Sequence, residues 1–466
     1  ERTRMYADCR GLALTTANEA AAKHIDAAVT DYLDYRTTAF GHVRSAIEQD
    51  PAFVLALCFR GYFLLMLENK AILPKVRQTL DEIRPNLAAA TSRERHHVRA
   101  LEAWAAGDIM LACSHWEEIL MESPLDLMAL KLHHTMSFYA GRSQVMRAVI
   151  AGVLGEWDDK VPGYGCVQGM YAYALEECGA YADAERCGRQ AVERNPGDLW
   201  AIHSVAHVLE MQGRSAEGVK WLAYTPQQWT DKNPFKAHVW WHAALFLLAQ
   251  GDCDRALDLY DKALCSVNSE TYVDVSNQAA LLKRLQLSGV DIGDRWKALA
   301  EHSRLRIHDH MLPFRDAHFC LALAAHRDFE VARRHIKSMA DFAAQNEGWR
   351  ADVTRDVLIP LCEGILAYEQ GHYDIATDLL WTVRNEIVSI GGSHAQRDLF
   401  AQIICDAALQ ARNLPMARNL FSERVIGRGT RKANWRSYAE VLAALGETER
   451  ADAARKQAEA APEVGA

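Results

Sequence analysis

The chain has no C-x-x-C pair, no apolar run of membrane length and no sustained stretch of alternating apolar and polar residues. Each absence removes a class of protein. Its eleven cysteines are odd in number and scattered, which fits reduced thiols rather than a disulfide framework or a zinc knuckle. No segment approaches the roughly 18 consecutive apolar residues of a membrane span, and no basic segment followed by an apolar core opens the chain. The expectation is a cytoplasmic protein with no membrane partner. Glu1 rather than Met comes first, which leaves a short upstream segment or a removed leader open. An excess of positive charge is also lacking, since 52 Lys and Arg stand against 61 Asp and Glu for a formal charge of −9. A general nucleic-acid binder shows the opposite balance, so no nucleic-acid partner is expected.

What the chain does hold is apolar material, 50% of its 466 residues, which excludes disorder. Apolar positions recur at three- and four-residue spacing, the signature of helices. A chain this long divides into several domains unless its core grows by stacking repeats. Asp50-Pro51, Ser123-Pro124 and Asn195-Pro196 place prolines 73 and 72 residues apart, twice a repeat of about 36. Each pair reads as a capping side chain followed by a proline in the first helical turn. Between them, Gly179, Tyr181, Ala184, Ala191 and Pro196 follow the spacing of the tetratricopeptide consensus, as do Gly107, Ala112, Trp116 and Pro124. Turns are expected near Asn69, Gly107, Gly141, Gly179, Gly213, Gly251, Gly289, Arg327, Gly371, Arg412 and Gly446. Hairpins at Arg327 and Arg412, without glycine, should be looser, and connections at 306–314 and 386–397 longer. The expected fold is all-α, a superhelical solenoid of about ten tetratricopeptide-like helical hairpins. Residues 1–45 form an N-terminal helical cap, 46–460 the continuous superhelix and 461–466 a tail.

Longer strings carry a more specific likeness. Trp116-Glu117-Glu118-Ile119-Leu120, His203-Ser204-Val205-Ala206-His207-Val208-Leu209-Glu210-Met211, Trp241-His242-Ala243-Ala244-Leu245, Asp316-Ala317-His318-Phe319 and Gly391-Gly392-Ser393-His394-Ala395-Gln396-Arg397-Asp398 are more polar than the repeat requires. With them the chain resembles the tetratricopeptide repeat protein 38 family over most of its length. The resemblance implies the fold and carries no settled activity.

Chemistry is expected on the first helix of each hairpin, which lines the concave side of such repeats. His203, His207 and Glu210 share a face, because at ~100° per residue His207 falls about 40° to one side of His203 and Glu210 about 20° to the other. The next first helix carries His238 and His242, again four apart, around Trp240 and Trp241. Imidazoles with one carboxylate suit a divalent metal, zinc or iron, so His203, His207, Glu210, His238 and His242 form a candidate metal set. The same His207, His242 and Glu210 are candidate acid/base groups. The bland alternative is histidines that cross-link neighbouring helices, and no other cofactor is called for. H-E-x-x-H is absent, with Ser204 where its Glu would stand. Asp316, His318, Arg397 and Asp398 form a second polar group, in which Ser393 caps a helix and Arg397 either clamps an anion or pairs two hairpins. Lys131, Tyr173, Glu176 and Trp241 complete the candidate ligand-binding residues. Cys166 near His203 is a conceivable nucleophile and more commonly a buried apolar thiol. Arg424, Arg428, Arg431, Lys432 and Arg436 read as a solvated basic loop.

Two readings of function follow. In one, the concave groove takes a peptide, a protein segment or a small ligand, in a monomer or homodimer. In the other, the superhelix encloses a histidine-rich site for hydrolytic or acid/base chemistry, with or without a metal.

Overall fold

First and second helices of the hairpins differ in how much of their circumference is apolar. Tyr181–Arg194, a second helix, buries Ala184, Gly188 and Ala191 and leaves the rest to solvent. Leu199–Met211, the first helix of the next hairpin, buries nearly every residue from Leu199 to Glu210. Leu127–Tyr139, Phe235–Ala249 and Pro313–Ala325 are buried in the same way. A helix buried all round sits between layers, whereas a one-striped helix coats the outside. In an open solenoid the first helices would leave a concave face exposed. Here that face is covered.

The computed structural model describes residues 5–224, 226–265, 272–427 and 432–461. Among the described residues the helices pair into twelve antiparallel hairpins, from Glu19–Leu33 with Ala39–Gln49 to Lys432–Ala444 with Thr448–Ala460. The chain is therefore an all-α solenoid of helical hairpins of the tetratricopeptide type, two hairpins longer than expected. The expected N-terminal cap ends inside Ala39–Gln49, which packs as a hairpin with Glu19–Leu33. The sheet among the described residues is one antiparallel ribbon, Tyr6–Ala7 against Ala13–Leu14. No described helix is long and apolar enough to cross a membrane. Residues 428–431 of the basic run, and 462–466 of the expected tail, lie outside the described residues.

The turn inside each hairpin is built alike. Gly179 has φ +78°, its amide donates to Glu176 O (2.8 Å), and the amide of Ala180 donates to Leu175 O (2.9 Å). This closes the helix in a Schellman motif. Where glycine is missing, Tyr35, Glu68, Arg327 and Arg412 take the left-handed conformation themselves, at φ +56°, +51°, +65° and +55°. The first turn was hard to see for that reason, the second falls beside the expected Asn69, and Arg327 and Arg412 make the same hydrogen bonds as the glycine turns rather than looser ones. Between hairpins, the amides of Asp126 and Asp198 donate back to Ser123 O and Asn195 O (both 2.9 Å). Pro124 and Pro196 thus occupy the second position of a β-turn, and the helix caps are Asp126 and Asp198 two residues on.

The superhelix winds tightly enough to close on itself. Turns of the first five hairpins meet the connections of the later ones. Asn233 N–H donates to Tyr35 O (2.6 Å), Lys232 Nζ to Asp34 O (2.7 Å), and Arg36 pairs with Asp231. Arg315 Nη1 donates to Glu68 O (2.7 Å) and His394 N–H to Glu177 Oε1 (3.1 Å). Gly141 and Gly391 allow the closest approach. A Cβ on Gly141 would stand 2.0 Å from Val388 O, and one on Gly391 2.4 Å from Tyr139 O. The connections around 231–233, 305–312 and 386–393 reach across.

Because a left-handed L-residue is strained and glycine is not, Arg412→Gly should stabilise the protein by ~1 kcal/mol. Chemical denaturation followed by helical circular dichroism measures this. A lower midpoint would show that Arg412 is held there by something other than the turn.

Candidate functional site

Closure leaves a cavity of about 250 Å³ on the inside of the coil. Its walls are aromatic. Tyr35 stacks on Phe235 (centroids 4.4 Å apart), Tyr173 leans on Trp200 (4.9 Å), and Trp200 on His203 (4.9 Å). Tyr139, Phe138 and Trp104 continue the lining, and Glu68, Asn233 and Gln396 reach it from opposite sides of the closure. These walls come from the buried face of the first helices and from the connections that cover them.

Lys131 points into this chamber from Leu127–Tyr139. Its Nζ donates to Tyr35 Oη (2.9 Å) and lies 3.9 Å from the centre of the Trp200 ring. No carboxylate pairs with it among the described residues. Burial pushes the Lys131 amine down to about 7, with Asp198 and Cys166 drawing it up too weakly to compensate. Asp198 itself is pushed up to about 6 by burial and spends one oxygen capping the helix at Ala201 N (2.9 Å). Across the cavity, burial raises the Glu68 carboxyl to about 8, although Arg315 and Tyr139 pull it down.

Beside the cavity four imidazoles converge. The ligating nitrogens of His203, His207, His238 and His242 all lie within 4.8 Å of one another, and all four side chains are buried. His207 Nε2 is 2.9 Å from His203 Nε2. His238 Nδ1 meets Asn277 Oδ1 (2.8 Å), and His207 Nδ1 lies 3.6 Å from Glu176 Oε2. Among the described residues neither ring nitrogen of His242 has a hydrogen-bond partner. Burial, reinforced by the neighbouring rings, holds His203, His207 and His242 well below the usual imidazole range, and burial takes His238 down to about 4.

The structure thus brings together the four histidines, with Lys131, Tyr173 and Glu176 around them, and leaves other candidates elsewhere. Glu210 shares the face of His203 but stands two turns along the helix, roughly 10 Å of rise, and is not in the four-imidazole group. The carboxylate that reaches His207 is Glu176. Trp241 is fully buried behind the site, stacked on His238 (5.3 Å). Asp316 faces away, between His310 (3.4 Å) and His335 (3.4 Å). His318 packs between Phe314 and Phe400 and bonds Phe314 O (2.8 Å). Arg397 is held by Gly392 O, His394 and Glu177, and Asp398 by Arg424 (2.8 Å), beside a separate cavity of about 470 Å³. The chamber is closed instead by Tyr35, Glu68, Asn233, Phe235 and Gln396. None of these stands out in sequence, because each reaches the site through contacts hundreds of residues apart in the chain. Burial raises the Cys166 thiol, which opposes a nucleophilic thiolate.

No family model matches this chain. Among solved structures, it is similar to a tetratricopeptide repeat protein from Parabacteroides merdae, at 18% identity over 57% of this chain and 99% of that one, with a TM-score of 0.36. Human IFIT1, solved as a dimer with m7Gppp-AAAA, is 16% identical over 93% of this chain and 95% of that one, with a TM-score of 0.40. The tetratricopeptide domain of P58(IPK) is 14% identical over 79% and 93%, with a TM-score of 0.22.

A lysine whose folded-state value lies below its ordinary one costs stability while both states hold the proton. That cost is relieved between about pH 7 and 10.5, where the unfolded chain binds the proton and the folded one does not. Lys131→Met should therefore raise the melting temperature most below pH 7, with the gain shrinking as pH approaches 10. Taking variant minus parent cancels the opposite slope of Glu68. A gain independent of pH would show that Lys131 is not buried as a charge.

Proposed function

We propose that the protein binds a small organic carboxylate inside the closed superhelix. The observation that carries this is Lys131, a buried amine aimed into an aromatic chamber with no carboxylate paired to it among the described residues. A buried cation without a counter-charge is costly, and a ligand anion would remove that cost by restoring the pair. The aromatic walls offer apolar surface for the body of such a ligand, while a few polar groups fix its orientation. Enclosure favours a small molecule over an extended peptide, since Tyr35, Asn233, Phe235 and Gln396 stand where a peptide would continue along the groove. We also propose membership of the tetratricopeptide repeat protein 38 family, supported by the shared strings that hold His203 to Met211 and Trp241 to Leu245.

Aromatic and aliphatic carboxylates, benzoate and phenylacetate among them, should raise the melting temperature of the parent, and their neutral amides should not. Lys131→Met should weaken carboxylate binding at least tenfold, in line with the ~1.5–3 kcal/mol of a charged hydrogen bond. Calorimetric titration of both proteins reads this directly. Equal binding of acid and amide, or full affinity in Lys131→Met, would overturn the reading.

A further inference from the structure

Four imidazoles buried together with unpartnered nitrogens are an unusual way to fill a core. A buried ring nitrogen without a partner costs free energy, and an aliphatic side chain of similar volume would avoid the cost. Here His242 is fully buried with both nitrogens lacking a hydrogen-bond partner among the described residues, and His203 Nδ1 lacks one as well. Such nitrogens keep their lone pairs available. From the His203, His207, His238 and His242 cluster we propose a binding site for one divalent late first-row transition cation of the zinc type.

The geometry suits that ion. Tetrahedral zinc–imidazole bonds of about 2.0–2.1 Å put neighbouring ligand nitrogens about 3.3–3.4 Å apart, somewhat wider than the 2.9 Å between His203 Nε2 and His207 Nε2. The remaining nitrogens lie within 4.8 Å of these, so modest ring rotations complete a four-coordinate set. The donors come from two packed helices, at i and i+4 on each, which fixes their spacing before any ion arrives. Metal-bound histidine commonly has its other nitrogen oriented by an oxygen. Asn277 Oδ1 does this for His238 at 2.8 Å, and Glu176 stands 3.6 Å from His207 Nδ1. Donors that are all imidazole select zinc, nickel or copper over magnesium or calcium, which prefer oxygen. Neither the lysine nor the carboxylate ligand enters this argument, so the metal site stands apart from the function proposed above.

The test uses the full chain without a histidine tag. Purified from zinc-supplemented medium, the parent should carry about one equivalent of metal by elemental analysis. The chelator-stripped protein titrated with Co²⁺ should show the visible d–d bands of a nitrogen-ligated centre, saturating at about one ion per chain. His242→Phe and His207→Phe should lose the bands, and His372→Gln, on an exposed histidine outside the cluster, should keep them. Absence of both bound metal and Co²⁺ bands in the parent would overturn the proposal, and so would bands that persist in both cluster variants. The parent decides the first arm alone, so a variant that fails to fold leaves the test intact. Lys131→Met should keep its metal whether or not it binds carboxylates, which separates failure of the ligand reading from failure here.

Discussion

At Tyr35 the chain leaves its first helix in a left-handed conformation, and its carbonyl then accepts the amide of Asn233 from the far side of the superhelix. Glu68 repeats the arrangement one hairpin later, with Arg315 as the donor. Left-handed turns leave carbonyls pointing outward at hairpin tips, where a following coil of the right pitch meets them. Buried carbonyls need partners, so once the coils approach, these hydrogen bonds and the glycine contacts at Gly141 and Gly391 fix the pitch. Tyr35 sits in the hydrophobic cluster of the second coil although it belongs to the first hairpin. Repeat proteins stack each unit against its neighbours; here contacts between distant repeats convert a groove into a chamber.

The chamber sets the electrostatics of everything inside it. Lys131 falls, Glu68 and Asp198 rise, and the four histidines fall, and in each case burial is the leading cause. All these shifts favour the neutral form, as expected where water is excluded and counter-charges are few. Ion pairs also bridge the closure, as with Arg397 and Glu177 or Arg36 and Asp231, and Arg315 lies 4.0 Å from the buried Glu68. An interior held near neutrality answers strongly to an incoming charge, because little else there screens it.

The repeat was legible because its signals are local. A glycine in a left-handed turn and alanines such as Ala206 and Ala244, fully buried at helix crossings, mark each unit within a few residues. His203 with His207 and His238 with His242 were legible for the same reason, since four-residue spacing puts each pair on one face. Which faces meet was not. Helical periodicity says that Glu210 points the same way as His203 without saying what lies opposite, and Glu176 reaches His207 from the preceding hairpin. Asp316 and Arg397 looked like site residues because they are polar and sit early in first helices. Their partners, His335 and Glu177, come from an outer helix and from the other coil. The turn at Tyr35 was obscured by a side chain that serves the cavity instead of the backbone.

Lys131 and the imidazole cluster share a wall. His203 and His238 line the cavity and also belong to the cluster, and Trp200 touches both Lys131 and His203. A cation at the cluster and an ammonium at Lys131 would place two positive centres along one side of a chamber whose other walls are aromatic. Glu68, on the opposite side, is kept protonated near neutral pH by burial and so does not cancel them. Under the proposed function that asymmetry would give an anion a preferred orientation, with its charged end toward Lys131 and the histidines and its apolar body against Tyr35 and Phe235. Aromatic rings alone would hold an apolar molecule in many poses; charge confined to one wall selects among them.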